Sequence, residues 1–195
     1  FNVSTNFVER TNAEFKKIDI SALQLPVYAG GGEGKYNKNV CDKHPAQFAL
    51  LDDKNKISHG GGHGQVEVCD LFSIDKQLVH VKIYGKSSVL SHLFSQGFVS
   101  GQLLQLDAEF RKKVKAKLAQ PFSDLVDVEA RPVDKEFTVV FAVISDSPEK
   151  TLHLPFFSRV NLNNTWKVLR GFGFNVQLLK IEVDPIYAKT KKCPS

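Results

Sequence analysis

With 195 residues, 42% hydrophobic and 24% charged, the chain has a globular balance and room for one sizeable core. No run approaches the ~20 apolar residues of a membrane helix, and Phe1-Asn2-Val3-Ser4 lacks the basic start and apolar stretch of a signal peptide. A net charge of +5 and a pI near 9.0 permit a polyanionic partner without demanding one.

In chain order, residues 1–26 mix polar side chains with the short apolar run Ile18 to Leu25 and are expected as a lead-in strand or irregular arm. Ala29-Gly30-Gly31-Gly32-Glu33-Gly34 reads as a flexible loop, Tyr36 to Lys43 as a short helix ended by Pro45, and Phe48 to Asp52 as a brief strand. A second glycine loop, His59 to Gly64, leads into two stretches that alternate with a period of two. Gln65 to Phe72 places Val66, Val68, Asp70 and Phe72 on one face. Leu78 to Tyr84 places Leu78, His80, Lys82 and Tyr84 on one face, with Val79, Val81 and Ile83 on the other.

After Gly85 the period lengthens to about 3.6 residues, carried by Leu90, Leu93, Phe94, Phe98 and Leu103. Ser87 or Ser88 is the expected N-cap of this helix, and Asp107 that of a second, Ala108 to Leu118. Glu136 to Ser145 is almost continuously apolar, the mark of a strand buried on both faces. A helix over Ser158 to Arg170 and a strand over Phe174 to Val183 follow, then a basic tail. Both periods together predict an α/β fold, a mixed central sheet flanked by helices. The expected organisation is an N-terminal arm and glycine-rich loop over 1–34, one α/β domain over 35–188, and a tail over 189–195.

Cys41, Cys69 and Cys193 form an odd set without CxxC spacing, which argues against a disulfide framework or a cysteine-rich zinc site. A reducing, cytoplasmic setting is expected. The chain starts at Phe1 and contains no Met, so a fragment or processed product is also expected.

The chemistry centres on Asp70, at the end of one expected strand, and His80-Val81-Lys82 on the next. The layout resembles the PD-(D/E)xK nuclease superfamily, which includes restriction endonucleases. There a strand-borne Asp precedes an (Asp/Glu)-x-Lys on the neighbouring strand, in a core of helix, three strands, helix and strand. The resemblance implies a restriction-endonuclease-like core. It also implies Mg²⁺ or Mn²⁺ held by Asp70 and a second carboxylate, Lys82 assisting a water or phosphate, and a DNA or RNA substrate. The departure is His80, which stands where Asp or Glu should be, and imidazole suits hard Mg²⁺ poorly. Glu67 and Asp52 are the candidates for the missing acid, although Glu67 should face away from Asp70 on an ideal strand. The structural alternative is that Asp70 merely ends a strand, His80 is half buried and Lys82 snorkels.

A second resemblance rests on longer stretches. Glu67-Val68-Cys69-Asp70-Leu71-Phe72, His80-Val81-Lys82, Leu90-Ser91-His92-Leu93-Phe94-Ser95-Gln96-Gly97, Asp107-Ala108-Glu109-Phe110-Arg111 and Leu154-Pro155-Phe156-Phe157-Ser158-Arg159-Val160-Asn161-Leu162 are similar to a sporadically distributed family of conserved hypothetical bacterial proteins. Such scattered occurrence suits a bacterial defence system.

His92 and Gln96, one helical turn apart, are accessory candidates, with a solvated helix face as the plainer reading. Arg111, Lys112, Lys113, Lys115 and Lys117 put five cations into seven positions and are the candidate phosphate contacts of a nucleic-acid-binding surface. His59 and His63 across three glycines make a weak metal clip, and neither glycine loop carries the Gly-Lys-Ser/Thr of a P-loop. A non-catalytic nucleic-acid-binding or scaffold domain is the alternative function. Oligomeric state is left open.

Overall fold

The computed structural model describes residues 4–51, 57–58 and 65–192, with side chains through Lys189. Its elements in order are α1 (Thr5–Phe15), β1 (Asp19–Ile20), α2 (Glu33–Lys43), β2 (Phe48–Leu50), β3 (Ile57–Ser58), β4 (Gln65–Val66), β5 (Leu71–Ser73) and β6 (Gln77–Ile83). There follow α3 (Ser87–Leu106), α4 (Ala108–Lys117), a 3₁₀ turn (Phe122–Leu125), β7 (Thr138–Ser145), α5 (Phe156–Gly171), β8 (Asn175–Glu182) and α6 (Pro185–Lys192). Six strands form one mixed sheet in the order β1-β8-β7-β6-β5-β2, and β3 and β4 form a separate antiparallel pair. β5 is antiparallel to both of its neighbours, β2 and β6, whereas β6, β7, β8 and β1 run parallel. The expected mixed α/β sheet flanked by helices is the fold observed.

β7 shows why the continuous apolar run was needed. Val139, Phe141 and Val143 enter the core under α3 and α5, while Val140, Ala142 and Ile144 enter a second core that includes Tyr36 and Val40 of α2. The alternation of β6 is kept, with Leu78 on the first side and Val79 and Val81 on the other. Cys69 is a buried member of the first core, where burial pushes its thiol well up and keeps it neutral.

Four local expectations need correcting. Residues 1–26 contain the lead-in strand, one of the two expectations, as β1, but begin with a helix that neither includes. α1 is bound to α5, where Asn163 Nδ2 donates to the Thr11 carbonyl (2.9 Å) and Lys167 pairs with Glu14 (2.7 Å), and β1 joins β8. The strand expected over Gln65 to Phe72 breaks into β4 and β5, with residues 67–70 irregular between them. Neither Ser87 nor Ser88 caps α3. The N-cap is Lys86, which makes no side-chain cap bond. Lys189 to Lys192 continue α6 rather than fray. Asp107 caps α4 as expected, accepting from the Phe110 N–H. The loop holding His59 and His63 lies outside the described residues.

Two glycines of α3 leave room for close packing, Gly97 against β7 of the sheet and Gly101 against α5. A Cβ at Gly97 would sit 2.5 Å from the Phe141 ring, and one at Gly101 would sit 2.6 Å from Leu169. Helix propensity alone would make Gly97→Ala stabilising by about 1 kcal/mol, but overpacking a core typically costs about 1–3 kcal/mol. Because the ring is fully buried and packs edge-on against Phe94, the net expectation is a loss. Urea denaturation should place Gly97→Ala below wild type by about 1–2 kcal/mol. Gly171→Ala, whose Cβ would meet nothing within 4 Å, should lose nothing. A Gly97→Ala protein as stable as wild type would refute this packing argument.

Candidate functional site

The site begins with a strand that is too short. β5 pairs with β6 only at Leu71↔Val79 and Phe72↔Leu78, whereas β6 runs on to Ile83 along its full ladder with β7. Beyond Val79, β6 therefore has an open edge whose N–H groups need acceptors. Two carboxylates supply them. Asp70 Oδ2 accepts from the Val81 N–H at 2.7 Å, and Glu33 Oε1 accepts from the Ile83 N–H at 2.9 Å. N–H groups two residues apart on a strand are spaced by about 6.6 Å, so the two acids sit side by side along one edge. Glu33 Oε2 also binds Lys82 Nζ at 2.7 Å, and Asn37 Nδ2 donates to Asp70 Oδ1 at 2.8 Å.

Glu33 reaches this edge because its loop is held. Gly30, Gly31 and Gly32 all have φ near +90°, a conformation that side chains resist. Gly30 lies so close under Tyr187 of α6 that a Cβ would meet the ring at 2.5 Å. The Gly32 N–H donates to Tyr28 Oη (2.9 Å), and Tyr36 Oη donates to the Pro26 carbonyl (2.7 Å). The loop expected to be flexible is thus pinned by tyrosines. α2 starts at Glu33 rather than Tyr36, and the acid occupies its first turn, where the helix dipole favours a negative charge.

Electrostatically the cluster is over-supplied with acids. Burial, first of all, pushes the Asp70 carboxyl up to about 8; the Val81 N–H opposes this, the negative charges of Glu67 and Glu33 add to it, and Lys82 opposes it. Three carboxylates thus act on one part-buried place with one ammonium among them. Among the described residues, no group of three or more His, Cys, Asp or Glu converges closely enough to hold a metal ion on its own.

The other expected site residues fall elsewhere. His80 and Lys82 share one face of β6 by register, as expected, but their functional groups part, with the Lys82 ammonium on Glu33. His80 is 1% exposed, with its ring beside Phe141 and its Nε2 3.4 Å from Ser100 Oγ. Burial pulls its pKa down to about 3, so it is a neutral core side chain without access to the open edge. Glu67 is turned to α3, where its Oε2 accepts from Gln96 Nε2 at 3.0 Å. Glu67, Gln96 and His92 line a groove of about 280 Å³ together with Val66, Ser95 and Val99. The three accessory candidates are therefore neighbours, and the charge of Glu67 is felt at Asp70. Asp52 lies outside the described residues.

The basic stripe divides. Arg111 is 3% exposed and donates to the carbonyls of Val128, Leu104 and Gln105, so it is a structural brace and not a phosphate contact. Lys115 donates to the Val126 carbonyl at 3.1 Å. Lys112, Lys113 and Lys117 are exposed. The expected five-cation surface is reduced by the inward turn of these two residues.

Sequence reasoning missed Glu33 and Asn37. The available signal was their spacing of four, which puts both on one side of any helix that includes them, but the glycines placed Glu33 in the loop.

Two outcomes follow from this geometry. In metal-free buffer, folded Asp70 holds a proton from about pH 4 to about pH 8 while the unfolded carboxyl does not, so its contribution to stability falls as pH rises through that window. Asp70→Asn should therefore gain in Tm relative to wild type between pH 5 and pH 8.5, and comparing the two proteins cancels the opposite acid-side effect of His80. A constant difference across those pH values would contradict the raised carboxyl. Separately, Arg111→Ala should lose at least about 2 kcal/mol in urea unfolding by stranding buried carbonyls. Lys112→Ala and Lys117→Ala should stay within about 0.5 kcal/mol of wild type.

No helix among the described residues is long and apolar enough to cross a membrane. No curated protein and no solved structure matches the chain. One family model does, from α1 to the end of β8, and it spans both carboxylate-bearing segments. On that match over residues 1–182, the chain belongs to the family described as a family of unknown function (DUF6119).

Proposed function

We propose that the chain is a metal-dependent nuclease acting on DNA or RNA, with Asp70, Glu33 and Lys82 at its centre. The observation that carries the reading is that Glu33 arrives from α2 at the open edge of β6, beside Asp70 and in contact with Lys82. The acid missing at His80 is thereby supplied from another element. The succession α2, β2, β5, β6, α3, β7, with β5 antiparallel to β2 and β6, and β7 parallel to β6, supports the resemblance to the PD-(D/E)xK core.

The donor set fits a hard divalent cation. The groups that could ligate it are oxygens, the Asp70 and Glu33 carboxyls and a buried amide oxygen of Asn37 that has no hydrogen-bond partner. Mg²⁺ and Mn²⁺ are commonly held by one or two carboxylates with water and substrate phosphate completing the shell, so three protein acids are not required. Asp70 and Glu33 would hold the ion, which when bound would polarise the scissile phosphate and lower the pKa of a bound water. The remaining work belongs to the chain. Lys82, about a quarter exposed and oriented by Glu33, donates Nζ–H to a non-bridging phosphate oxygen. The backbone N–H groups of Val81 and Ile83 keep both carboxylates in place. The exposed Lys112, Lys113 and Lys117 are candidates for contacts to the nucleic-acid backbone.

A second reading, a non-catalytic nucleic-acid-binding or scaffold domain, draws on the same contacts. Both acids already serve backbone N–H groups, and Lys82 is neutralised by Glu33.

Cleavage of plasmid DNA, single-stranded DNA and RNA with Mg²⁺ or Mn²⁺ separates the two. The nuclease reading expects cutting that chelation abolishes. Asp70→Asn, Glu33→Gln and Lys82→Ala should each reduce it by at least about 100-fold, equivalent to roughly 2.7 kcal/mol of transition-state stabilisation. An inert wild type that still binds labelled oligonucleotides in a salt-dependent way would leave the second reading.

A further inference from the structure

Asn37 lies one turn beyond Glu33 on α2 and is 1% exposed. Its amide is only half used. Nδ2 donates to Asp70 Oδ1 at 2.8 Å, whereas Oδ1 is buried without a hydrogen-bond partner. An unpaired buried acceptor is a costly arrangement in a folded protein. The two amide atoms share one carbon, so the unpaired oxygen belongs to the very group that touches the Asp70 carboxylate. A neutral amide oxygen is a hard donor of the kind that Mg²⁺ and Mn²⁺ accept. It would complete a shell around such an ion without adding negative charge to a place where Glu33, Glu67 and Asp70 already outnumber Lys82.

We infer that Asn37 is a member of the cation site: its Nδ2 fixes the Asp70 carboxylate, and its Oδ1 is a third protein oxygen for a divalent metal beside Asp70 and Glu33. This rests on the metal-dependent reading above. It explains why an amide, and not a simple donor, stands at this position of α2. It also gives the Glu33-x-x-x-Asn37 spacing a purpose, since residues four apart share one side of a helix.

The test is a titration of the metal-free chain with Mn²⁺, with the free ion counted by electron paramagnetic resonance and folding followed by thermal melts. Wild type should bind Mn²⁺ at this site, and Asn37→Ala should weaken binding about 10- to 100-fold. Asn37→Asp keeps Oδ1 and adds a negative charge but loses the Nδ2 donor to Asp70, so it should gain more in Tm from Mn²⁺ than wild type does. Asn37→Ala that binds Mn²⁺ as wild type does, or Asn37→Asp that gains no more in Tm from Mn²⁺ than wild type, would overturn the inference while leaving the nuclease reading intact. Should Asn37→Ala fail to fold, Asn37→Asp decides by itself. Wild type that binds no Mn²⁺ would overturn the metal-dependent reading, and this inference with it.

Discussion

The early end of β5 is the constraint on which the site depends. A strand buried in a sheet must have every backbone N–H paired, and β6 outruns its antiparallel neighbour while staying fully paired with β7. Water could have served the exposed groups. Instead Asp70 and Glu33, from segments 37 residues apart in numbering (70 against 33), act as side-chain substitutes for the absent strand. A hydrogen bond to a charged acceptor is worth roughly 1.5–3 kcal/mol and one to a neutral acceptor about 1 kcal/mol, so both acids help to hold the edge. The same contacts aim two acids at one place.

That arrangement carries an electrostatic cost. Burial and like-charge neighbours push the Asp70 carboxyl up to about 8, so near neutral pH it keeps a proton unless a positive charge comes close. Glu33 ties up Lys82, the one ammonium at hand. A divalent cation or a polyanion with its counterions would redistribute these charges, and strained electrostatics of this kind are concentrated at functional sites. His80 presents the contrasting case. Its perturbation comes from burial alone, in a core of aromatic and aliphatic side chains, and is what a structural histidine should show.

The N-terminal third carries more of the site than its composition suggests. Three glycines with positive φ let the chain turn under Tyr187, and the Tyr28 hydroxyl stops the turn at Gly32. Tyr28 also stacks near both Tyr36 and Tyr187, with centroids 5.8 and 5.6 Å away, so one aromatic cluster joins α6, the glycine turn and α2. Rigid support of this sort is what places the first helical residue, Glu33, within reach of β6.

Much of the fold was readable from periodicity. The doubly buried β7, the two faces of β6, the change to helical spacing after Gly85 and the Asp107 cap all rest on local rules that tertiary context did not override. Asp70 and Lys82 stood out for the same reason, since residue type and strand position could be read together. The accessory set Glu67, His92 and Gln96 was legible as residues but not as a groove. Glu33 and Asn37 were not legible, because a glycine-rich stretch looks the same whether it is loose or pinned by tyrosines. Arg111 and His80 were misplaced because a charge count along a helix and an alternation along a strand do not say which carbonyls or rings lie opposite. The sequence by itself therefore determined the mixed α/β class and most of its strands and helices, as these follow from backbone sterics and burial of apolar faces. Tertiary structure alone decided which acids meet, because that depends on where β5 stops and which distant donors its shortness leaves unpaired.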